Sequence, residues 1–141
     1  MEDIKESKIR YLEMIQGVIS RMASNSFLLK GWTVTIVVGL FAFANIKEMD
    51  SRYILLALVP AIFFWSLDGF FLRQEKLFRK LYDHVRASEE DTVDFSMDTS
   101  QFKTQVSNWM RIMISTTLLL FYIPIFIVII LALLSFPCIN I

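Results

Sequence analysis

The chain has 141 residues, enough for one domain and too few for two. Hydrophobic residues make up 55% of it against 20% charged, and mean hydropathy is +0.54, too apolar for an ordinary soluble domain of this length. A formal net charge of +0 gives no bulk bias toward nucleic acid or acidic substrates, and the single cysteine, Cys138, excludes an intramolecular disulfide framework and any multi-cysteine metal site.

Residues 1–26 carry charges throughout and lack an apolar core before a small-residue cleavage site, so no signal peptide is expected. Tyr11, Met14, Ile15, Val18, Ile19 and Met22 recur at spacings of three and four, with Arg10, Glu13, Gln16, Ser20 and Arg21 elsewhere on the wheel. That pattern predicts an amphipathic helix. It could lie on a membrane surface or pack on other helices, and its mixed charge signs favour packing. Asn25 or Ser26 is expected to cap a new helix, breaking the chain there.

Three segments then qualify as membrane spans, each near the roughly 20 apolar residues that a bilayer core of about 30 Å requires. The first is 27–46, with Lys30 as its only charge; the lysine stem is expected to lie in lipid with the ammonium at the headgroups. The second is 53–72, interrupted only by Asp68. The third is expected over 112–136, within a charge-free run that continues to Ile139. Between the second and third, Leu77, Phe78, Leu81, Tyr82 and Val85 continue the helical pattern, so one helix is expected to leave the membrane near Arg73 and end at about Arg86. Ser88 to Asp98 reads as an acidic connection. Asp98, Thr99 or Ser100 is then expected to cap a helix carrying Phe102, Val106 and Trp109 straight into the third span.

The expected fold is all-α: an integral membrane domain of three transmembrane helices, an N-terminal amphipathic helix and helical extensions of the second and third spans. Placing the N-terminus and the 73–111 loop in the cytoplasm puts twelve of the fourteen basic residues there, so the positive-inside rule predicts an N-in, C-out protein.

No catalytic arrangement is evident. His84 is the only histidine, and neither a phosphate loop nor a metal-ligand spacing occurs, so no enzyme activity, metal or cofactor is expected. Asp68 is the most informative residue, because a carboxylate inside a span costs about 2.5–3.5 kcal/mol at the helix centre and less near an end. It could pair with Arg73 or Lys30 at headgroup depth, or form a polar constriction of an assembled pore, for which Thr35 and Ser66 are further candidates. Gly31, Thr35 and Gly39 make a small face on the first span, suited either to packing within one chain or to oligomerisation. Ala57 and Ala61 do the same beside Pro60, and Pro60 and Pro124 are expected kink sites. Arg73, Lys76, Arg79, Lys80 and Arg86 form a basic cluster just past the second span. Such clusters contact anionic membrane lipid; alternatively Arg73, Lys76, Arg79, Lys80 and Arg111 could hold an anionic ligand, with Tyr82 or Trp109 as a stacking surface.

The runs Asn25-Ser26-Phe27-Leu28-Leu29-Lys30-Gly31-Trp32 and Phe64-Trp65-Ser66-Leu67-Asp68-Gly69-Phe70-Phe71-Leu72-Arg73-Gln74-Glu75, with Met22, Leu81, Tyr82 and Asp83, resemble a widespread group of small bacterial three-helix membrane proteins. Within it the chain is most similar to the membrane effectors of two-gene antiphage defence, as in the Hailong system. The resemblance covers about residues 10 to 86; the acidic loop and third span match only in character. It implies a homo-oligomer in the bacterial inner membrane, with a tetramer favoured, able to depolarise that membrane. It further implies control by an oligonucleotide, in the Hailong case an oligodeoxyadenylate, made by a partner nucleotidyltransferase. The bottom-up alternative is a non-conducting anchor that recruits a soluble partner through the N-terminal helix.

Overall fold

A computed structural model describes residues 2–44 and 52–135. The expected ends of the first and third spans, at Ile46 and residue 136, lie outside those residues, as does Cys138. Among the described residues the protein is all-helical, without strands, and three of its helices are long and apolar enough to cross a membrane. They are α1 (Glu2–Ala44), α3 (Leu58–Ala87) and α5 (Thr116–Ser135). Two five-residue helices, α2 (Arg52–Leu56) and α4 (Trp109–Met113), precede α3 and α5, and short 3-10 turns occupy Glu90–Thr92 and Ser100–Phe102.

α1 runs unbroken for 43 residues, roughly 65 Å, so the break expected at Asn25 or Ser26 does not occur. A cap requires the serine oxygen to accept from a backbone N–H two or three residues on. Ser26 instead sends its hydroxyl sideways to another helix, and the backbone stays helical. Half of the N-terminal stripe packs on protein: Tyr11, Ile15 and Ile19 are buried in one cluster with Leu77, Leu81 and Val85 of α3, Phe102, Val106, Ile112 and Leu118, while Val18 and Met22 are half-buried and Met14 is exposed.

The second span begins in two pieces. Proline has no N–H to give the carbonyl four residues back, so a helix cannot run through Leu56 into Pro60 with its bonding intact. α2 therefore ends at Leu56, Ala57 N–H closes a tighter turn on Ile54 O at 3.1 Å, and Pro60 sits in the first turn of α3, where a missing N–H is harmless. α3 then continues for 30 residues, about 45 Å, which exceeds a hydrocarbon core by some 15 Å. Its end at Ala87 matches the expected extension to about Arg86.

The third span departs from expectation. No helix joins Asp98 to it: Asp98 accepts from the Ser100 N–H (2.8 Å) and hydroxyl (2.6 Å), closing a turn, and the chain after the 3-10 turn reaches Trp109 without regular structure. Ser, Thr, Asp, Gln and Asn crowd this stretch, and their side chains compete with helical backbone bonds. Asn108 caps α4 through Arg111 N–H (3.1 Å), and α4 stops at Met113. Ser115 starts α5 afresh, its carbonyl accepting from Leu118 and Leu119. Pro124 lies inside α5.

The loop between α3 and α4 is tied back onto α1. Tyr11 donates its hydroxyl to Ser96 O at 2.5 Å, and the Lys8 ammonium donates to Ser88 O at 2.6 Å, at the carbonyl-rich end of α3 where a cation is favoured. Burial, and then the negative charge of Asp94, push the Tyr11 hydroxyl above its ordinary pKa. The far end of the bundle has its own apolar cluster of Val37, Ile54, Ala57, Ala61 and Ile129.

Candidate functional site

At the level where the three long helices meet, α1 contributes Ser26 and Lys30, α3 contributes Asp68, and α5 contributes Tyr122. Asp68 is fully buried. Its Oδ1 accepts from the Ser26 hydroxyl at 2.5 Å; its Oδ2 accepts from Lys30 Nζ at 2.5 Å and from the Tyr122 hydroxyl at 3.1 Å. Lys30 also donates to Ser26 Oγ at 2.8 Å and lies 5.8 Å from the Phe121 ring centroid, within cation–π range. Each polar group thus has partners of the sort a low-dielectric interior demands. Of the two partners weighed for Asp68, the structure selects Lys30. The Lys30 ammonium turns toward the carboxylate on the neighbouring helix. Arg73 gives its Nε–H to Ser107 O at 3.3 Å.

The two other pore candidates have hydroxyls committed to their own helices, Thr35 to Gly31 O (3.0 Å) and Ser66 to Ile62 O (2.9 Å). Gly31 and Thr35 are exposed, and nothing lies within 4 Å of a methyl placed on Gly31 or Gly39. The glycines of this face make no close packing contact within the chain. Ala57 and Ala61 do: both are fully buried.

Three of the seven candidate ligand residues converge. Lys76, Arg79 and Lys80 form one wall of a cleft of about 300 Å³ whose other wall is residues 105–107. Glu75 pairs with Arg79 at 2.8 Å, and Asp83 on the rim pairs with Arg86 at 3.6 Å, so two carboxylates temper the cleft. Arg73 ties down the 105–107 wall. Tyr82 is half-buried against the apolar cluster, and Trp109 gives its indole N–H to Ser66 O at 3.0 Å on the span. Neither ring is among the residues lining the cleft. Arg111 is exposed on α4. A second hollow, about 310 Å³, lies under the loop beside His84, Asp94 and Asp98; the two hydrogen bonds from Ser100 hold the Asp98 carboxyl below its usual range. Among the described residues no three His, Cys, Asp or Glu side chains gather as a metal site would need.

Cleft and ion pair are linked through α4 and its contacts with α3. Two residues past Ser107, α4 packs on Gly69, where a Cβ would stand 2.7 Å from Met113 Cγ. Trp65 donates to Met113 O at 3.0 Å while its ring stacks on Tyr122 with centroids 6.1 Å apart. At the joint between α4 and α5, Ser115 Oγ is buried without a hydrogen-bond partner among the described residues. Sequence reasoning missed Tyr122, Gly69 and the tertiary use of Ser26. Tyr122 had a signal, as the lone hydroxyl in the apolar run from Leu118 to Leu134. Comparison with protein-family models, curated proteins and solved structures finds no match to this chain.

Proposed function

We propose that the chain is one subunit of a homo-oligomeric membrane effector, and that an anionic, nucleotide-type ligand in the Lys76–Arg79–Lys80 cleft controls ion conduction through the assembly. The observation that carries this reading is the connection just described: one wall of the basic cleft continues through a five-residue helix into α5, which holds Tyr122 on Asp68. A ligand that draws residues 105–107 toward α3 pulls on α4, and the strain arrives at the α4–α5 joint. The Ser115 hydroxyl at that joint has no hydrogen-bond partner among the described residues, so an arrangement of the joint that supplied one would gain on the order of 1–3 kcal/mol.

Conduction needs several copies, because the interior of one bundle is filled by Leu118, Tyr122 and Ile129 and its charges are paired. The resemblance of the two runs around Lys30 and Asp68 to bacterial defence effectors supports the same assignment, with an oligodeoxyadenylate as the first ligand to try. The distribution of basic residues supports an inner-membrane protein with the cleft in the cytoplasm. The alternative, a scaffold recruiting a soluble partner through the N-terminal stripe, is weakened because Tyr11, Ile15 and Ile19 are already covered by the chain itself.

The test is current across planar bilayers containing purified protein, with and without short deoxyadenylate oligomers. Ligand-sensitive current is expected, and Lys76→Glu with Lys80→Glu should remove the sensitivity while leaving the current. Absence of current under every condition would sink the channel reading.

A further inference from the structure

Beside the cleft, on the apolar length of α3, runs a groove of about 290 Å³ lined by Phe63, Ser66, Leu67, Phe70 and Trp109. Its polar groups are already committed: the Ser66 hydroxyl to Ile62 O, and the Trp109 indole N–H to Ser66 O. Nothing left in it can recognise a polar occupant. Phe63 is 60% exposed and Phe70 46%, large apolar surfaces on a helix segment that belongs in the bilayer. At that depth the available apolar occupant is an alkyl chain.

The upper end of the groove is positive. Arg73 lies seven residues past Ser66, almost in line with it on the helix and about 10 Å further along the axis. Its Nε–H is held by Ser107 O, on the segment that leads into the short helix carrying Trp109. Arg111, exposed two residues past Trp109 on that short helix, is a second positive charge on the α4 side. Residues 99–113 and 69–74 contain no carboxylate, and the next one along α3, Glu75, is paired with Arg79.

We infer that this groove binds one anionic phospholipid, an acyl chain lying along Phe63, Phe70 and Trp109 and the phosphate meeting Arg73 and Arg111. Arg73 suits that role, since its planar fork bonds phosphate oxygens in pairs while a lysine would act only as a point charge. The bound lipid would press on α4 from the outside, so the composition of the leaflet would bear on the same helix that the cleft pulls.

Native mass spectrometry of protein taken from vesicles of equal phosphatidylglycerol and phosphatidylcholine tests this. Phosphatidylglycerol should be retained over phosphatidylcholine by roughly ten-fold, as two basic side chains near a membrane surface allow. Arg73→Gln with Arg111→Gln should bring the ratio near unity, the paired lysine substitutions should keep part of the preference, and Phe70→Ala should lower retention of both lipids. Lys76→Gln with Lys80→Gln should leave the lipid ratio unchanged, which separates this site from the cleft. Equal retention by the native chain, or a preference that survives loss of both arginines, would overturn the assignment. So would displacement of the lipid by inorganic phosphate, which would give the rim to a soluble anion.

Discussion

Asp68 receives hydrogen bonds from α1 and α5 on its two oxygens, and that geometry sets what its removal should cost. Asp68→Ala leaves the Lys30 ammonium and two hydroxyls without their acceptor. Losing one partner of a buried pair costs about 3–5 kcal/mol in soluble proteins, and a loss in that range is expected in denaturant titrations of the detergent-solubilised protein. Replacing both charges, Lys30→Met with Asp68→Leu, should recover most of it; a double variant as unstable as the single one would show that the pair is not the source. Gly69→Val and Gly31→Ala make a second contrast. The first drives a side chain into Met113 and should cost about 1–3 kcal/mol, whereas the second meets open space and should be neutral or slightly stabilising. At this scale the sequence was legible where a residue was chemically out of place: a carboxylate within a span announces a partner. It could not separate Lys30 from Arg73. Helical geometry helps in hindsight, because five residues turn the helix by about 140° and aim Arg73 away from Asp68.

Helices were legible where their pattern ran long and their ends were forced. α3 ends at Ala87 because the acidic, serine-containing stretch after it has no apolar face to continue. Misreadings fell on short polar side chains, whose bonds serve either local caps or distant partners. The pattern offers Asn25 or Ser26 as a cap, yet Ser26 serves Asp68; it offers Asp98, Thr99 or Ser100 as a helix start, yet Asp98 closes a turn on Ser100. The loop clamp carries its own pH signature. Tyr11 is raised above its ordinary value by burial and by Asp94, so the folded state favours the protonated hydroxyl. The stabilisation is therefore complete below about pH 10 and lost as pH rises through the folded value. Subtracting the tyrosinate absorbance titration of Tyr11→Phe from that of the native chain should isolate a midpoint above 10; one at or below 10 would mean the clamp is absent in solution.

For the molecule as a whole, three helices long and apolar enough to cross a membrane were legible, as were the N-terminal helix and the extension of α3, because apolar length and the absence of strand patterning settle the class; the helix expected ahead of the third was not. Contacts between that N-terminal helix and the loop were not, since they rest on backbone carbonyls at Ser88 and Ser96 that no residue pattern marks. The proposed orientation is open to direct measurement. Ser7→Cys, exposed on α1, placed in a Cys138→Ser background, should react with a membrane-impermeant maleimide only after the inner membrane is opened. Labelling in intact spheroplasts would invert the topology and place the basic cleft outside. The three spans also differ in what it costs to move them. α1 and α3 are each anchored in the bundle by one partner of the Lys30–Asp68 pair, and shifting either drags that charge through a medium that resists ions. α5 holds no charge over its whole length, starts afresh at Ser115, and meets the polar cluster through the Tyr122 hydroxyl and the Phe121 ring beside Lys30. Displacing it would break one hydrogen bond and one cation–π contact but would move no ion through the apolar interior, and it is the helix fastened to the cleft.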